Sequence, residues 1–363
     1  MCQIEVVKNF NRREPSVEQI SRIFIDTSKQ IFQLHGVNAA EEVVVRKKLG
    51  RNQVLAFFAK LAPTVIGLEA CGASHHWARE LAALGHEVKL VAAQYVKAYL
   101  KRGKNDARDA EAGCEAMSRP TMRFVPVKSA EQQAALMLTG VREQLVRART
   151  QLANAIRGHA AEFGLVAPRG LAHLGPLLTR IAEDETIPEL ARDLFAGLTR
   201  EWERLTGELK LVDARLMSWH RQNRMSRRLA QIPSVGPIGA SMLVMKTPDP
   251  GAFKSARHFA AWMGLTPKDH STAGKQRLGV ITRAGDEALR SVLVVGATAV
   301  LLQVRHGRGP RSPWLLKLLR KDKPKLAAVA LANKVARIAW RMMMTGEDYE
   351  PARLLRELPP NAA

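Results

Sequence analysis

A mixed α/β domain followed by a largely helical remainder is what this sequence predicts, and three observations carry it. Short β-branched runs crowd residues 22–93, apolar positions recur at steps of three and four over 131–220, and a net charge of +22 is weighted toward the last third. The runs are RIFID (22–26), QIFQLHG (30–36), EVVVRK (42–47), TVIGLEA (64–70) and HEVKLVAA (86–93). Each is brief and bounded by polar or Gly-containing stretches, as strands are. Helical patterns lie at 51–62, at 74–85 and from about 94 to 116. Three strands in succession, then alternating helix and strand, describe a sheet whose first strands are antiparallel, the order of the ribonuclease H-like class. A doubly wound nucleotide-binding fold fits less well, because no Gly-rich phosphate loop follows the first strand.

The middle of the chain keeps a different rhythm. Leu198, Trp202, Leu205, Leu209, Val212, Leu216 and Trp219 repeat at helical spacing, as do Leu138, Val141, Leu145, Ala148, Leu152 and Ala155 upstream. Two long helices joined by a Gly- and Pro-containing connector near 164–188 predict an antiparallel hairpin or a dimerising coiled coil. Three regions follow: an α/β domain over 20–125, a helical spacer over 126–222 and a mainly α domain over 223–346. The last holds helices near 238–245, 255–263, 286–303 and 324–345, with Trp340 and Met342–Met344 read as a core face. The termini, 1–18 and about 347–363, carry no functional reading.

Charge points to the partner. The three regions 1–130, 131–220 and 221–363 carry +7, −1 and +16. That imbalance exceeds what solubility requires and indicates a polyanion, with most phosphate contacts in the last third. Cys2, Cys71 and Cys114 have no metal-ligand or CxxC spacing, which fits a reducing compartment without a disulfide frame. The first residues lack the apolar stretch of a signal peptide, and no later run reaches the length of a membrane span. A cytoplasmic, nucleoid-associated protein without a membrane partner is expected.

Four acids could carry chemistry. Asp26 closes the first predicted strand, Glu69 closes the fourth, and Asp106 and Asp109 sit three apart on one helix face. Together they form a hard-oxygen set suited to magnesium or manganese at a phosphodiester. Taken one at a time, a strand-end Asp is more often a turn or cap residue, and an Asp pair on a basic helix is usually a solvated salt-bridge face. Lys101, Arg102, Lys104 and Arg108 surround the helical pair, as a site that draws in a phosphate backbone requires. Further on, the basic run holding Arg227 and Arg228 precedes IPSVGPIGA (232–240), whose Gly236 and Gly239 open a helix. Its backbone N–H groups could cradle a phosphate; a tight helix connection explains it too. The loop DHSTAGKQRLG (269–279) offers Ser271 or Thr272 beside Lys275 and Arg277, with Arg283 following in TRAGD (282–286). A serine nucleophile flanked by cations is one reading and an ordinary polar loop the other. His75, His76, His258 and His270 lack metal spacing and read as structural or phosphate contacts.

Five segments in this order are specific. They are IFIDTSKQ (23–30), GLEACGASHHWARELAALGHEV (67–88), KNDARDAEA (104–112), the IPSVGPIGA turn, and AAWMGLTPKDHSTAGKQRLGVITRAGDEALR (260–290). Through them the chain resembles, over about 20–345, the transposases of the bacterial insertion-sequence one-ten family, in its eleven-eleven subgroup, which includes the pilin-gene invertases. The resemblance implies a Holliday-junction-resolvase-like domain binding magnesium through an Asp–Glu–Asp–Asp set, matched by Asp26, Glu69, Asp106 and Asp109. It also implies a C-terminal serine nucleophile, matched by Ser271, with Thr272 the alternative because the preceding stretch is short here. Target and donor DNA are the implied partners, together with a guide RNA from the element's non-coding end. The spacer heptads suggest a homodimer or homotetramer. Two rivals remain: a hydrolytic junction nuclease using the same acids with water, and a non-catalytic nucleic-acid-binding protein.

Overall fold

A computed structural model describes residues 20–100, 106–272, 274–309, 312–321 and 323–351. The chain divides into two compact units, 1–131 and 132–363.

The first unit is built on a six-stranded mixed sheet, in the spatial order β3-β2-β1-β4-β5-β6. In sequence these are β1 (Arg22–Asp26), β2 (Ile31–Val37), β3 (Val43–Gly50), β4 (Val65–Glu69), β5 (Glu87–Val91) and β6 (Phe124–Val125). β1, β2 and β3 form an antiparallel meander, while β1–β4 and β4–β5 pair in parallel, which needs long crossover connections in place of tight hairpins. This is the ribonuclease H-like arrangement. Alternation along the strands separates two faces. On one, Ile23, Ile25, Leu34, Ile66 and Leu68 pack with α1 (Val54–Phe58) and α2 (Ser74–Ala83) through Phe58, Trp77 and Leu81. On the other, Phe24, Val37 and Val91 meet α3 (Ala93–Lys97) and α4 (Asp106–Met117) through Val96, Ala110, Cys114 and Met117.

Two glycines let α4 lie against the sheet. A Cβ on Gly113 would fall 2.2 Å from the Phe24 ring, and one on Gly67 would fall 2.6 Å from it. Both distances are far below carbon–carbon contact, so only hydrogen fits between helix and sheet at these points.

The second unit is helical apart from one hairpin. α5 (Ala130–Ala161), α6 (Leu174–Glu183) and α7 (Glu189–Gln222) share a small core of Ala153, Ile156, Leu174, Leu177, Ile181 and Phe195. Arg142 of α5 reaches Asp213 of α7 at 2.6 Å, while Ile156 joins Phe195 near the other end. The two long helices therefore run antiparallel within one chain, with α6 wedged into a segment that reads in sequence as a connector. The expected seam holds in α7, where Leu205, Leu209, Val212 and Leu216 are buried. In α5 the buried positions are Thr139, Ala153, Ile156 and Ala160, whereas Ala155 is exposed.

A larger core joins α8 (Arg224–Leu229), α9 (Pro237–Lys246), α10 (Ala256–Trp262), α11 (Glu287–Arg305), α12 (Pro313–Lys321) and α13 (Pro324–Thr345). α11 is long and apolar enough to cross a membrane by length and composition. Here it buries Leu289, Leu293, Ala297 and Leu301 in this core and packs on α13. Met342 is fully buried, but Met344 at the end of the presumed core face is exposed, because α13 turns it away from α11.

Candidate active site

The first unit brings acids together. β1 ends at Asp26 and β4 at Glu69, and the parallel register that pairs Ile25 with Leu68 sets these two ends side by side. Phe24, two residues before Asp26, and Gly67, two before Glu69, both face α4, so strand alternation puts the two carboxylates on that face as well. Along α4, Asp109, Gly113 and Met117 recur every four residues and Asp106 precedes Asp109 by three. The stripe that docks on the sheet therefore carries both acids at its first turn. Carboxylate oxygens of Asp26, Asp106 and Asp109 lie within 4.8 Å of one another. Glu69 is near enough to add its charge to theirs at Asp26. Burial, then repulsion from Asp109, Asp106 and Glu69, pushes the Asp26 carboxyl up to about 6. Carboxylates held this close repel unless a cation is present, and hard oxygens at this separation are what magnesium or manganese takes.

Lys101, Arg102 and Lys104 lie outside the described residues, while Arg108 is exposed on α4. It lines a cleft of about 410 Å³ with Glu111 of α4, Gln33 and His35 of β2, and Arg46 and Lys48 of β3. These β2 and β3 residues were not singled out in sequence, although the exposed cations of VVVRKKLG on a strand were a visible signal.

The histidines near the acids are structural. His75 Nδ1 accepts the Lys128 N–H at 3.2 Å, and burial with the Lys128 and Arg79 charges pushes the ring down to about 4. His76 lies 3.7 Å from Glu80 on the same helix.

In the second unit, Ser271 sits at the tip of a hairpin of β7 (Pro267–Asp269) and β8 (Leu278–Ile281). Sequence reading made this a flexible loop. The hairpin is closed by His270 N–H to the Arg277 carbonyl at 2.9 Å, and by Lys275 N–H to the Thr272 carbonyl at 3.0 Å. Gly274 turns the chain at φ +77°. Ser271 N–H donates to Asp269 Oδ1 at 2.8 Å, and Ser271 Oγ accepts the Arg277 N–H at 3.0 Å. Hydrogen bonds from the Ser271 hydroxyl and N–H hold the Asp269 carboxyl below the usual range. Ser271, Thr272, Lys275 and Arg277 are all exposed, as is Arg283. His270 packs its ring beside Gly279, and His258 Nδ1 accepts the Lys254 N–H at 3.3 Å. At the hairpin base, Gly264 approaches Ala284 and Gly285 approaches Trp262 so closely that a Cβ at either would strike backbone atoms. The Arg290 guanidinium donates to the Met263 and Ala284 carbonyls at 3.0 Å, which fixes that base on α11.

The remaining basic and glycine residues divide. Arg227 is exposed, but Arg228 ion-pairs with Asp348 at 3.0 Å and donates to the Gly346 carbonyl at the end of α13. Gly236 is the exposed N-cap of α9 with no side-chain cap, and because Pro237 brings no N–H, the Ile238 and Gly239 N–H groups are the uncapped donors of that turn. Gly239 is buried, and a Cβ there would come within 2.9 Å of Val292 on α11. Lys246 ties α9 to Glu143 of α5 at 2.9 Å and to Asp286, the N-cap of α11, at 2.8 Å. No local spacing reveals a contact between residues so far apart in sequence.

Comparison with known proteins assigns the chain. Residues 24–163 match a family model described as a DEDD transposase of IS110 type, and residues 226–310 match one described as "Transposase IS116/IS110/IS902 family". The chain is 65% identical to the "Putative transposase y4pF/y4sB" of Sinorhizobium fredii, over 97% of this chain and 91% of that protein. It is 45% identical to the "Probable family 20 transposase" of Pseudomonas aeruginosa, over 92% and 99%. To the "Transposase for insertion sequence element IS1111A" of Coxiella burnetii it is 34% identical, over 94% of each. Identity at these levels along nearly the whole length places the chain in the IS116/IS110/IS902 transposase family, as a DNA transposase that moves an insertion sequence.

Proposed function

We propose that this transposase cuts and rejoins DNA by transesterification through Ser271, with Asp26, Glu69, Asp106 and Asp109 holding divalent metal. The observation that carries the reading is the approach of the Asp26, Asp106 and Asp109 oxygens to within 4.8 Å, in a site whose mutual repulsion favours a cation. Magnesium or manganese bound there supplies Lewis-acid polarisation of a phosphoryl oxygen. The Ser271 Oγ attacks phosphorus, its proton passes to the Asp269 carboxylate, and the bond to the 3′ oxygen breaks as that oxygen takes a proton from water. A 5′ phosphoserine and a free 3′ hydroxyl result, and attack by a new 3′ hydroxyl reverses the step without an external energy source. The Asp269 contact and the Arg277 N–H orient the hydroxyl, while Lys275, Arg277 and Arg283 supply positive charge for the phosphate.

Residues 20–125 act in this reading as the metal-dependent domain, 126–222 as a coiled-coil-like spacer and 223–346 as the serine-bearing domain. The exposed Leu190, Leu194 and Leu211 of α7 support assembly into a homodimer or homotetramer. Arg108, Arg227 and the open N-terminus of α9 at Gly236 contribute phosphate contacts to target and donor DNA. A guide RNA encoded by the element follows from the family resemblance.

The test is a suicide DNA substrate nicked so that the departing strand diffuses away. Wild-type protein with magnesium is expected to become attached to a DNA 5′ end, Ser271→Ala to give no adduct, and Thr272→Ala to behave as wild type. DNA mapped to Thr272 would move the nucleophile by one residue. Efficient cleavage without adduct would establish the hydrolytic nuclease instead.

A further inference from the structure

We infer that the cleft between β2, β3 and the first turns of α4 binds the phosphodiester backbone of the DNA strand that enters the four-acid site. The inference rests on the metal-dependent cleavage reading above and adds to it the path of the strand. Its basis is the cross-strand register. Asp26 of β1 pairs with Gln33 of β2, which pairs with Lys48 of β3; one step along, Phe24 pairs with His35 and His35 with Arg46. Residues directly opposite across a sheet share a face, and this face is the α4 side, because Phe24 lies against Gly113. A row of side chains therefore runs from the acids through Gln33 and His35 to Lys48 and Arg46 at the sheet edge. With neighbouring strands about 4.8 Å apart, the row covers roughly 10 Å from Asp26 to Lys48.

Two features of the row suit a phosphate backbone. Gln33 is only 9% exposed, lines the cleft, and its amide has no hydrogen-bond partner among the described residues. The amide is not sealed from solvent, so in the cleft its NH₂ can exchange water for a phosphate oxygen. Arg46 and Lys48 are exposed on the same face, and among the described residues neither has a carboxylate within ion-pair distance. Lys47 between them points the other way, over the Phe57 ring at 5.0 Å, as alternation requires. Arg108 adds a third cation from α4, and Glu111 is the one acid in the cleft wall, so the lining stays net positive. β3 is an edge strand, which leaves this end of the cleft open for a chain to leave the site.

The cleaved strand, rather than an RNA held elsewhere on the protein, is the occupant this geometry favours. Asp26 is the inner end of the row, so a strand positioned at the acids has its neighbouring phosphates within reach of Gln33, Lys48 and Arg46. These groups act as binding and positioning residues and take no part in bond making.

The experiment measures affinity of the full-length protein for a fluorescent DNA duplex carrying the element's end, and for an RNA of the same length, across a salt series. Wild type, Arg46→Ala with Lys48→Ala, Arg46→Lys and Gln33→Leu are compared, with cleavage followed at saturating DNA. The double alanine variant is expected to flatten the plot of log affinity against log salt on DNA by about 1.8, from about 0.9 per lost phosphate contact. It should also require more DNA for half-maximal cleavage and keep the saturated rate within a few-fold. Arg46→Lys is expected to retain the slope. Gln33→Leu is expected to weaken DNA binding at every salt concentration with no change of slope. A wild-type slope on DNA in the double variant, or a change confined to RNA, overturns the inference. Should Gln33→Leu not fold, the Arg46 and Lys48 variants decide alone, since both residues are exposed. Failure of the cleavage reading shows itself separately, as wild-type protein that does not cut DNA in magnesium.

Discussion

Gly113→Ala adds one methyl group at the point where α4 meets the sheet, and its consequences can be worked from distances. The new Cβ would fall 2.2–2.4 Å from three atoms of the Phe24 ring, which is itself 1% exposed and has no room to swing away. Restoring ordinary carbon contact near 3.5 Å needs about 1.3 Å of separation between helix and strand. Overpacking of this kind costs about 1–3 kcal/mol, and the higher helix propensity of alanine returns about 1. The net loss of stability is therefore expected to be at most about 2 kcal/mol, leaving the protein folded. Chemistry should suffer more, because Asp109 lies one helical turn before Gly113 and moves with the helix while Asp26 stays on β1. A displacement of about 1 Å in a catalytic group costs on the order of a hundredfold in rate. Denaturant unfolding gives the first quantity and single-turnover cleavage at saturating magnesium and DNA gives the second. Phe24→Leu in the Gly113→Ala background removes the clash and is expected to recover a substantial part of the rate. Wild-type cleavage by Gly113→Ala, or loss of rate fully explained by unfolded protein, would refute the argument.

Further outcomes follow from the charges. Asp26→Asn removes the carboxylate that burial and three neighbouring acids push up to about 6. Because the raised pKa makes stability fall as pH rises from the unfolded value of 3.8 through about 6, the metal-free variant should melt higher than wild type at pH 7.5, by less at pH 5 and no higher below pH 3.8, by calorimetry. The same variant is expected to lose both cleavage and the rise in melting temperature that magnesium gives wild type, while binding DNA with unchanged salt slope. The half-buried site tempers the size of the effect: the full shift is worth about 3 kcal/mol, and solvent screening leaves about 1. Separately, Lys275→Ala with Arg277→Ala should flatten the DNA salt slope. Arg228→Ala should leave that slope alone and lower the melting temperature, because Arg228 holds Asp348 and the Gly346 carbonyl. A flattened slope in Arg228→Ala with unchanged melting would return that residue to the DNA interface.

The five main strands of the first unit were legible because each is a short run rich in β-branched residues, and β1, β2 and β4 are buried almost throughout, which leaves such runs little choice of conformation. Heptad spacing likewise showed α7. α6 was hidden by Gly175 and Pro176, yet a proline in the first turn of a helix lacks only an N–H that has no intrahelical partner there. Its Leu174, Leu177, Leu178 and Ile181 carry the helical period in a segment that reads as a connector. α12 was missed for the same reason, a proline at its start. The β7–β8 hairpin left no trace because its strands are almost wholly exposed, so no apolar alternation marks them. Residue type and local spacing thus nominated Asp26, Glu69, Asp106 and Asp109, and the basic segments near them. Tertiary structure decided what those positions meet. Gly113 and Gly67 let α4 close on Phe24 and carry Asp106 and Asp109 to Asp26, register lines Gln33 and Lys48 up with Asp26, and Arg228 is drawn to the end of α13. Each of these depends on partners many residues away, and a local pattern in a chain holds no record of which distant surface it will touch.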